Sequence, residues 1–251
     1  MVSRNTPWPA GTPCWVDLGT DVEKAATFYT GLFGWDVQVG GEEVGGYGQA
    51  FLDGKVIAGL GPLQDGDPTA WTTYIASTDL EADAAKVKEA GGQVVVEPMD
   101  VMEFGKMFIA VDPTGAQFAV WEAGTHSGVQ LANEPGALTW NEHFSGDLEA
   151  AKAFYAKVFG YFYEEVGGPM DYVTFSLTEG GDAVGGMGAT GGAGSWGTYF
   201  NVADADASVA KVEELGGKVI DAPESTPFGR MATVADDQGA IFKLITNAPA
   251  Q

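Results

Sequence analysis

The chain has 251 residues, 45% of them hydrophobic and 19% charged, which supplies a packed core and argues against wholesale disorder. Thirty-five acidic residues against 12 basic ones leave a formal charge of −23, which argues against nucleic-acid recognition and against attraction to anionic lipid. One cysteine, Cys14, excludes an internal disulfide, and two histidines, His126 and His143, exclude a histidine-rich metal site within one chain.

No apolar run reaches the ~20 residues of a membrane span. Met1 to Pro13 lacks the basic and apolar regions of a secretory signal. The expectation is a cytoplasmic protein, monomer or homodimer, with no nucleic-acid or membrane partner. The acidic balance serves solubility and also suits cationic small molecules.

In chain order, Trp15-Val16-Asp17-Leu18 opens the first strand. Asp21 is placed to cap a helix whose apolar residues Val22, Ala25, Ala26, Tyr29 and Phe33 recur at helical spacing, and Gly34 ends it. Strands are expected over Trp35–Val39, Gln49–Leu52, Val56–Leu60 and Trp71–Ala76. Asp79 caps a second helix through Ala90, which Gly91-Gly92 stops. Val94–Val96, Lys106–Val111 and Gln117–Trp121 complete the unit.

The chain then states the same text again, and such self-similarity decides the architecture. Trp140-Asn141-Glu142-His143 stands for Trp15-Val16-Asp17-Leu18, 125 residues later. Asp147 to Phe154-Tyr155 and Val158-Phe159-Gly160-Tyr161 answer Asp21 to Phe28-Tyr29 and Leu32-Phe33-Gly34-Trp35. Phe228-Gly229-Arg230-Met231 answers Phe104-Gly105-Lys106-Met107, and Asp236 to Phe242 answers Asp112 to Phe118. The expected organisation is a domain over residues 1–123, a linker over 124–136 and a domain over 137–251. Each unit is two strand–helix–strand–strand–strand modules.

The helix text and the late Phe-Gly to Asp-x-x-Gly segment resemble the glyoxalase/bleomycin-resistance/extradiol-dioxygenase superfamily, also called vicinal oxygen chelate. The resemblance covers about residues 12–123 and 137–247. It is closest to two-domain actinobacterial proteins labelled glyoxalase or hydroxylase. It implies an α+β fold of tandem domains, each built of paired βαβββ modules that curl a mixed sheet into a half-barrel.

Metal-dependent members of that family place His, Glu or Gln on the first, middle and last strands of a unit. The matching places here are Trp15 or Asp17, and Trp140, Glu142 or His143, on the first strands. The middle strands offer Thr72/Thr73 and Gly197/Thr198, and the last strands Ala119 and Lys243. A lysine brings a cation where a metal needs an anion, so no cofactor is expected and a divalent metal is disfavoured.

Alternation along the strands offers each cup tryptophans beside a carboxylate. Trp15, Trp71, Thr73, Trp121, Trp140, Trp196, Thr198 and Lys243 are the candidate ligand contacts. Asp17 and Glu142 are the candidate general bases, since a carboxylate in an apolar cup can acquire a pKa suited to proton transfer. His143 is expected on the other side of its strand, partly exposed. His126 is expected solvated in the linker, and Cys14 buried and inert.

Gly186-Met187-Gly188-Ala189-Thr190-Gly191 has dinucleotide-fingerprint spacing but is followed by a strand rather than a helix, so it is read as part of a glycine-rich loop, a tolerated surface insertion or else a rim over the second cup. Gln64–Pro68 is the shorter loop in the matching place. The expected function is a metal-independent small-molecule binding protein that holds an apolar or aromatic metabolite. The alternatives are an isomerase, lyase or hydroxylase using Asp17 or Glu142, or a metal-dependent glyoxalase or dioxygenase with atypical ligands.

Overall fold

A computed structural model describes residues 2–63, 66, 68–167 and 171–247. Residues 64, 65 and 67 of the expected rim loop, and the extreme ends of both expected domains, lie outside the described residues. After a short strand, β1 (Val2–Ser3), the first repeat runs β2 (Pro13–Thr20), α1 (Val22–Phe33), β3 (Asp36–Val39), β4 (Gly48–Leu52) and β5 (Lys55–Pro62). It continues through β6 (Ala70–Ser77), α2 (Leu80–Glu89), β7 (Gln93–Val101), β8 (Gly105–Val111) and β9 (Gln117–Ala123).

A second short strand, β10 (Leu131–Ala132), pairs with β1. The second repeat follows as β11 (Leu138–Ser145), α3 (Leu148–Phe159), β12 (Phe162–Glu165), β13 (Tyr172–Ser176) and β14 (Ala183–Ala189). It ends with β15 (Ser195–Asn201), α4 (Ala205–Glu214), β16 (Lys218–Thr226), β17 (Gly229–Ala235) and β18 (Ile241–Asn247).

Helix boundaries follow local chemistry. The Asp21 and Asp147 carboxylates accept from the amides of Lys24 and Ala150, so each satisfies an otherwise unpaired N-terminal donor. Gly34 and Gly160 close α1 and α3 at φ +74° and +75°, where a side chain would be strained.

Each repeat builds its own open eight-stranded sheet, and among the described residues no strand of these sheets is exchanged between them. The orders are β3-β4-β5-β2-β6-β9-β8-β7 and β12-β13-β14-β11-β15-β18-β17-β16. The β2–β5 and β6–β9 pairs are parallel, as are their counterparts, and the remaining pairs are antiparallel. Each parallel pair is the first and last strand of one module, so each sheet is two modules joined at β2–β6 or β11–β15.

The segment read as a glycine loop is instead largely strand β14, held between β13 and β11. Its glycines serve packing. A Cβ on Gly186 would run into the Tyr172 hydroxyl, and one on Gly188 would crowd Phe144.

The repeats share their core: two hydrophobic clusters each draw residues from both. On α1, the Tyr29 hydroxyl donates to Asp236 Oδ2 of the second repeat at 3.1 Å. On α3, the Tyr155 hydroxyl donates to Asp112 Oδ2 of the first at 3.0 Å. Asp112 Oδ1 accepts the amides of Thr114 and Ala116, and Asp236 Oδ1 those of Gln238 and Ala240. The repeated Asp-x-x-Gly text therefore builds the turn that receives the other repeat's tyrosine. Phe33 packs on Phe200 at 5.2 Å and Phe154 on Phe118 at 6.1 Å. Phe118, Phe154 and Phe200 are buried, and fully burying such a side chain contributes about 1.5–3 kcal/mol, so these helix contacts hold the sheets back to back.

Candidate functional site: two aromatic cups

The face of each sheet turned away from this core forms a cup. In the first, alternation along β2 puts Trp15 and Asp17 on the cup side and Val16 and Leu18 in the core. Asp17 Oδ2 accepts the Tyr74 hydroxyl at 2.7 Å and the Tyr47 hydroxyl at 3.4 Å. Trp15 Nε1 donates to the Tyr47 oxygen at 3.2 Å. Asp17 lies beside Gly59 in the β2–β5 register, and a Cβ there would occupy the Tyr47 hydroxyl's place. Burial pushes the Asp17 carboxyl up to about 6, against the lowering effect of its two tyrosine bonds.

Trp121 and His126 complete this cup. The His126 ring meets Trp15 edge-on at 4.3 Å and lies 5.6 Å from Trp121. Its segment is pinned by the amides of Thr125 and His126 on Glu103 and Phe104 carbonyls, and by Trp121 Nε1 on the His126 carbonyl. The expectation of a solvated His126 is thus corrected: the linker folds back over the cup. Burial lowers its pKa to about 4, so the imidazole is neutral at pH 7, and its Nε2 is buried without a partner among the described residues.

The second cup repeats the frame with one charge added. Glu142 Oε2 accepts the Tyr172 hydroxyl at 2.8 Å, and Trp140 Nε1 donates to the Tyr172 oxygen at 3.1 Å. Glu142 Oε1 accepts from the Tyr199 hydroxyl and from Lys243 Nζ, the latter at 3.1 Å. Lys243 Nζ also lies 2.8 Å from the Tyr199 oxygen and 4.5 Å from the Phe144 ring centre. Burial raises the Glu142 pKa, and the Lys243 charge opposes the rise. Trp140, Phe144, Tyr172 and Lys243 are only half-buried, and exposed Phe228 stands 6.3 Å from the Tyr172 ring. This cup is the more open one. Clefts of about 320 and 370 Å³ lie elsewhere, at helix ends: α1 with α4, and α3 with the loop before α2.

Of the expected contacts, Trp15, Asp17 and Trp121 come together in cup one, and Trp140, Glu142 and Lys243 in cup two. Trp71, Thr73, Trp196 and Thr198 do not line the cups. Trp71 and Trp196 donate to Tyr29 and Tyr155 in the shared core, at 3.1 and 2.8 Å. The Thr73 hydroxyl bonds Asn141 across the repeats at 3.0 Å, and Thr198 is buried. Alternation alone does not tell the two faces apart here, because a strand buried on both sides carries large side chains on both.

His143 is also corrected. It lies on the core side as expected, yet it is wholly buried rather than partly exposed, with Nε2 2.8 Å from Asp112 Oδ2. Cys14 is buried, and desolvation pushes its thiol far above the range where a thiolate forms. Reading single residues missed Tyr47, Tyr74, Tyr172 and Tyr199. A signal existed: Tyr47 and Tyr172, like Tyr74 and Tyr199, keep the same 125-residue spacing as Asp17 and Glu142.

Residues 18–120 and 137–244 match the model of the Glyoxalase/Bleomycin resistance protein/Dioxygenase superfamily. A Mycobacterium tuberculosis protein named "Putative glyoxylase CFP32" is 39% identical, over 99% of both chains. The anthracycline biosynthesis protein DnrV of Streptomyces peucetius is 38% identical, over 96% of this chain and 94% of its own. Among solved structures, the Mn(II)-bound glyoxalase of Novosphingobium aromaticivorans superposes with a TM-score of 0.67 at 16% identity, over 94% of this chain and 82% of its own. The 2,2',3-trihydroxybiphenyl 1,2-dioxygenase of Sphingomonas wittichii gives 0.63 at 14%, over 95% and 91%. At these identities the structural likeness shows the fold.

The donors present do not fit a divalent ion of the kind that glyoxalase carries. Among the described residues no three His, Cys, Asp or Glu side chains gather at one point. In cup two the Lys243 ammonium already stands against Glu142, where a metal would have to sit.

Proposed function

The chain belongs to the glyoxalase/bleomycin resistance protein/dioxygenase superfamily, and we propose that within it this protein is a metal-independent small-molecule binding protein. It takes an apolar or aromatic ligand in its cups, and cup two is the accessible one. The observation that carries this reading is the Glu142 cluster. A buried carboxylate is held by two tyrosines and a lysine beneath the half-buried rings of Trp140 and Phe144. Flat apolar surface with a few fixed polar groups is what a small-molecule site requires. The relative named for anthracycline biosynthesis supports an aromatic natural product as ligand.

The test is a titration of intrinsic tryptophan fluorescence with a panel of aromatic natural products. Elemental analysis of the purified protein accompanies it. Saturable quenching that is weakened in Phe144→Ala supports the reading. No quenching by any compound, or a stoichiometric transition metal held through Glu142, overturns it.

A second reading is favoured by one feature, the Asp17 carboxyl raised to about 6. It suits a general base of an isomerase, lyase or hydroxylase type of reaction, since such a group takes up and returns protons near neutral pH. A turnover whose rate rises with pH through about 6 and is abolished in Asp17→Asn would establish it.

A further inference from the structure

The two cups share a carboxylate, two tyrosines and a tryptophan, and differ in a cation. In cup two, Lys243 sets an ammonium against Glu142 Oε1, the Tyr199 oxygen and the Phe144 ring, at 3.1, 2.8 and 4.5 Å. Lys243 lies beside Tyr199 in the parallel β15–β18 register. In the β6–β9 register the place beside Tyr74 is held by Ala119. Asp17, Tyr47, Tyr74 and Trp15 otherwise stand where Glu142, Tyr172, Tyr199 and Trp140 stand. The first repeat thus has the carboxylate, both tyrosines and the tryptophan, but not the cation.

What remains is an uncompensated acid. Among the described residues no basic side chain lies within ion-pair distance of Asp17. Both tyrosine hydroxyls bond its Oδ2, so Oδ1 has no hydrogen-bond partner among the described residues. Asp is one methylene shorter than Glu, and Ala119 has no side chain beyond Cβ, so neither reaches the place that Lys243 Nζ holds in cup two; the walls around it, Trp15, Tyr74 and Trp121, are buried.

We propose that cup one recognises an organic ammonium group, a primary amine carried on an apolar or aromatic body, whose nitrogen takes the place that Lys243 Nζ fills in cup two.

The inference rests on the cups being ligand sites and adds the chemistry of one of them. An ammonium brings three donors and a charge, enough to bond Asp17 Oδ1 and the Tyr74 oxygen together. Charge-assisted bonds of this kind are roughly twice as strong as neutral ones, and aromatic walls attract the cation further. His126 now closes this space, but as a poor occupant. Its ring is uncharged at pH 7, its Nε2 has no partner, and it gives Asp17 no counter-charge. A ligand therefore enters by displacing the His126 ring from between Trp15 and Trp121.

The test is isothermal titration of the full chain with phenethylammonium and, as the uncharged control, 2-phenylethanol. Wild type should bind one phenethylammonium, about tenfold or more tighter than the alcohol. Asp17→Asn should abolish that preference. Ala119→Lys, which writes the sequence of cup two into cup one, should abolish binding by filling the place with its own ammonium. Lys243→Ala should do the reverse and raise the stoichiometry to two.

Equal affinity for amine and alcohol in wild type overturns the inference, as does an amine preference that survives Ala119→Lys. If neutral aromatics still quench in a Phe144-dependent way while the amine preference is missing, only this inference falls. If neither is seen, the reading of the cups falls with it.

Discussion

Lys243 and Ala119 hold equivalent strand positions, each beside the tyrosine that anchors its cup's carboxylate, and this single difference separates the electrostatics of the two cups. Lys243 Nζ lies 3.1 Å from Glu142 Oε1, and the two side chains are 24% and 5% exposed. Asp17, next to Ala119's partner, has only hydroxyl donors.

Removing Lys243 should therefore cost more than a surface charge would. Breaking a fully buried pair costs roughly 3–5 kcal/mol, and the partial exposure of Lys243 reduces this to about 2 kcal/mol. Urea unfolding of Lys243→Met at pH 8 is expected to show that loss. Lowering the pH should relieve it, because Glu142, already raised by burial, then takes a proton. Lys243→Met with Glu142→Gln should recover most of the stability, since no buried charge is left unpaired.

The acid in cup one gives a pH signature of opposite sense to an ordinary ion-paired carboxylate. Its folded pKa, about 6, lies above the ordinary 3.8. Its contribution to stability is complete below the lower value and is lost as pH rises through the higher. Asp17→Asn keeps an oxygen acceptor for the tyrosines and removes this loss. Thermal melts should show the variant more stable than wild type at pH 8, by about 2 kcal/mol, and close to it at pH 4.

Gly186 is expected to be essential for the site and dispensable for the fold. A Cβ there would displace the Tyr172 hydroxyl, and Tyr172 is the donor on Glu142 Oε2. Gly186→Ala should retain the circular dichroism of wild type and lose about tenfold in affinity for any aromatic ligand of cup two, a displaced hydrogen bond to a charged group being worth about 1.4 kcal/mol or more. Fluorescence titration against Gly191→Ala, on an exposed turn with open space around it, is the check.

His143 predicts an acid-limb effect in the core between the repeats. Burial alone would raise Asp112. The His143 hydrogen bond and charge, with the Thr114 hydroxyl and the Ala116 amide, outweigh it and hold the carboxyl below its ordinary range. A depressed carboxylate stabilises above its unfolded pKa, and that stability is lost as pH falls through the folded value. His143→Leu puts the first repeat's residue, Leu18, into the second. It should cost about 2 kcal/mol at pH 7. The gap from wild type should narrow toward pH 3, as measured by denaturant unfolding at both values.

Several features were legible without coordinates. Asp21, Asp79 and Asp147 mark helix starts and Gly34 and Gly160 mark helix ends, because capping is decided by neighbours a few residues away. The duplicated text fixed two equivalent sheets, and the Trp15/Asp17 alternation placed both residues on one face. Period-two patterning fails where a strand is buried on both sides. Trp71 and Trp196 are as apolar as Trp15 and Trp140, and nothing local says which face meets the other repeat. His126 was missed for a related reason: its place is set by backbone bonds to the β7–β8 turn, more than 20 residues earlier in the chain.

From the order of its residues alone, this chain determines its duplication and its helix limits, since these depend on side-chain chemistry and short-range spacing. Which rings stand on the cup face of a sheet and which bind the repeats together was decided only in three dimensions. So was the contrast between an acid that keeps its own ammonium and one that does not. The reason is physical: burial and charge compensation are sums over strands brought together from distant parts of the chain, and no window along the sequence contains them.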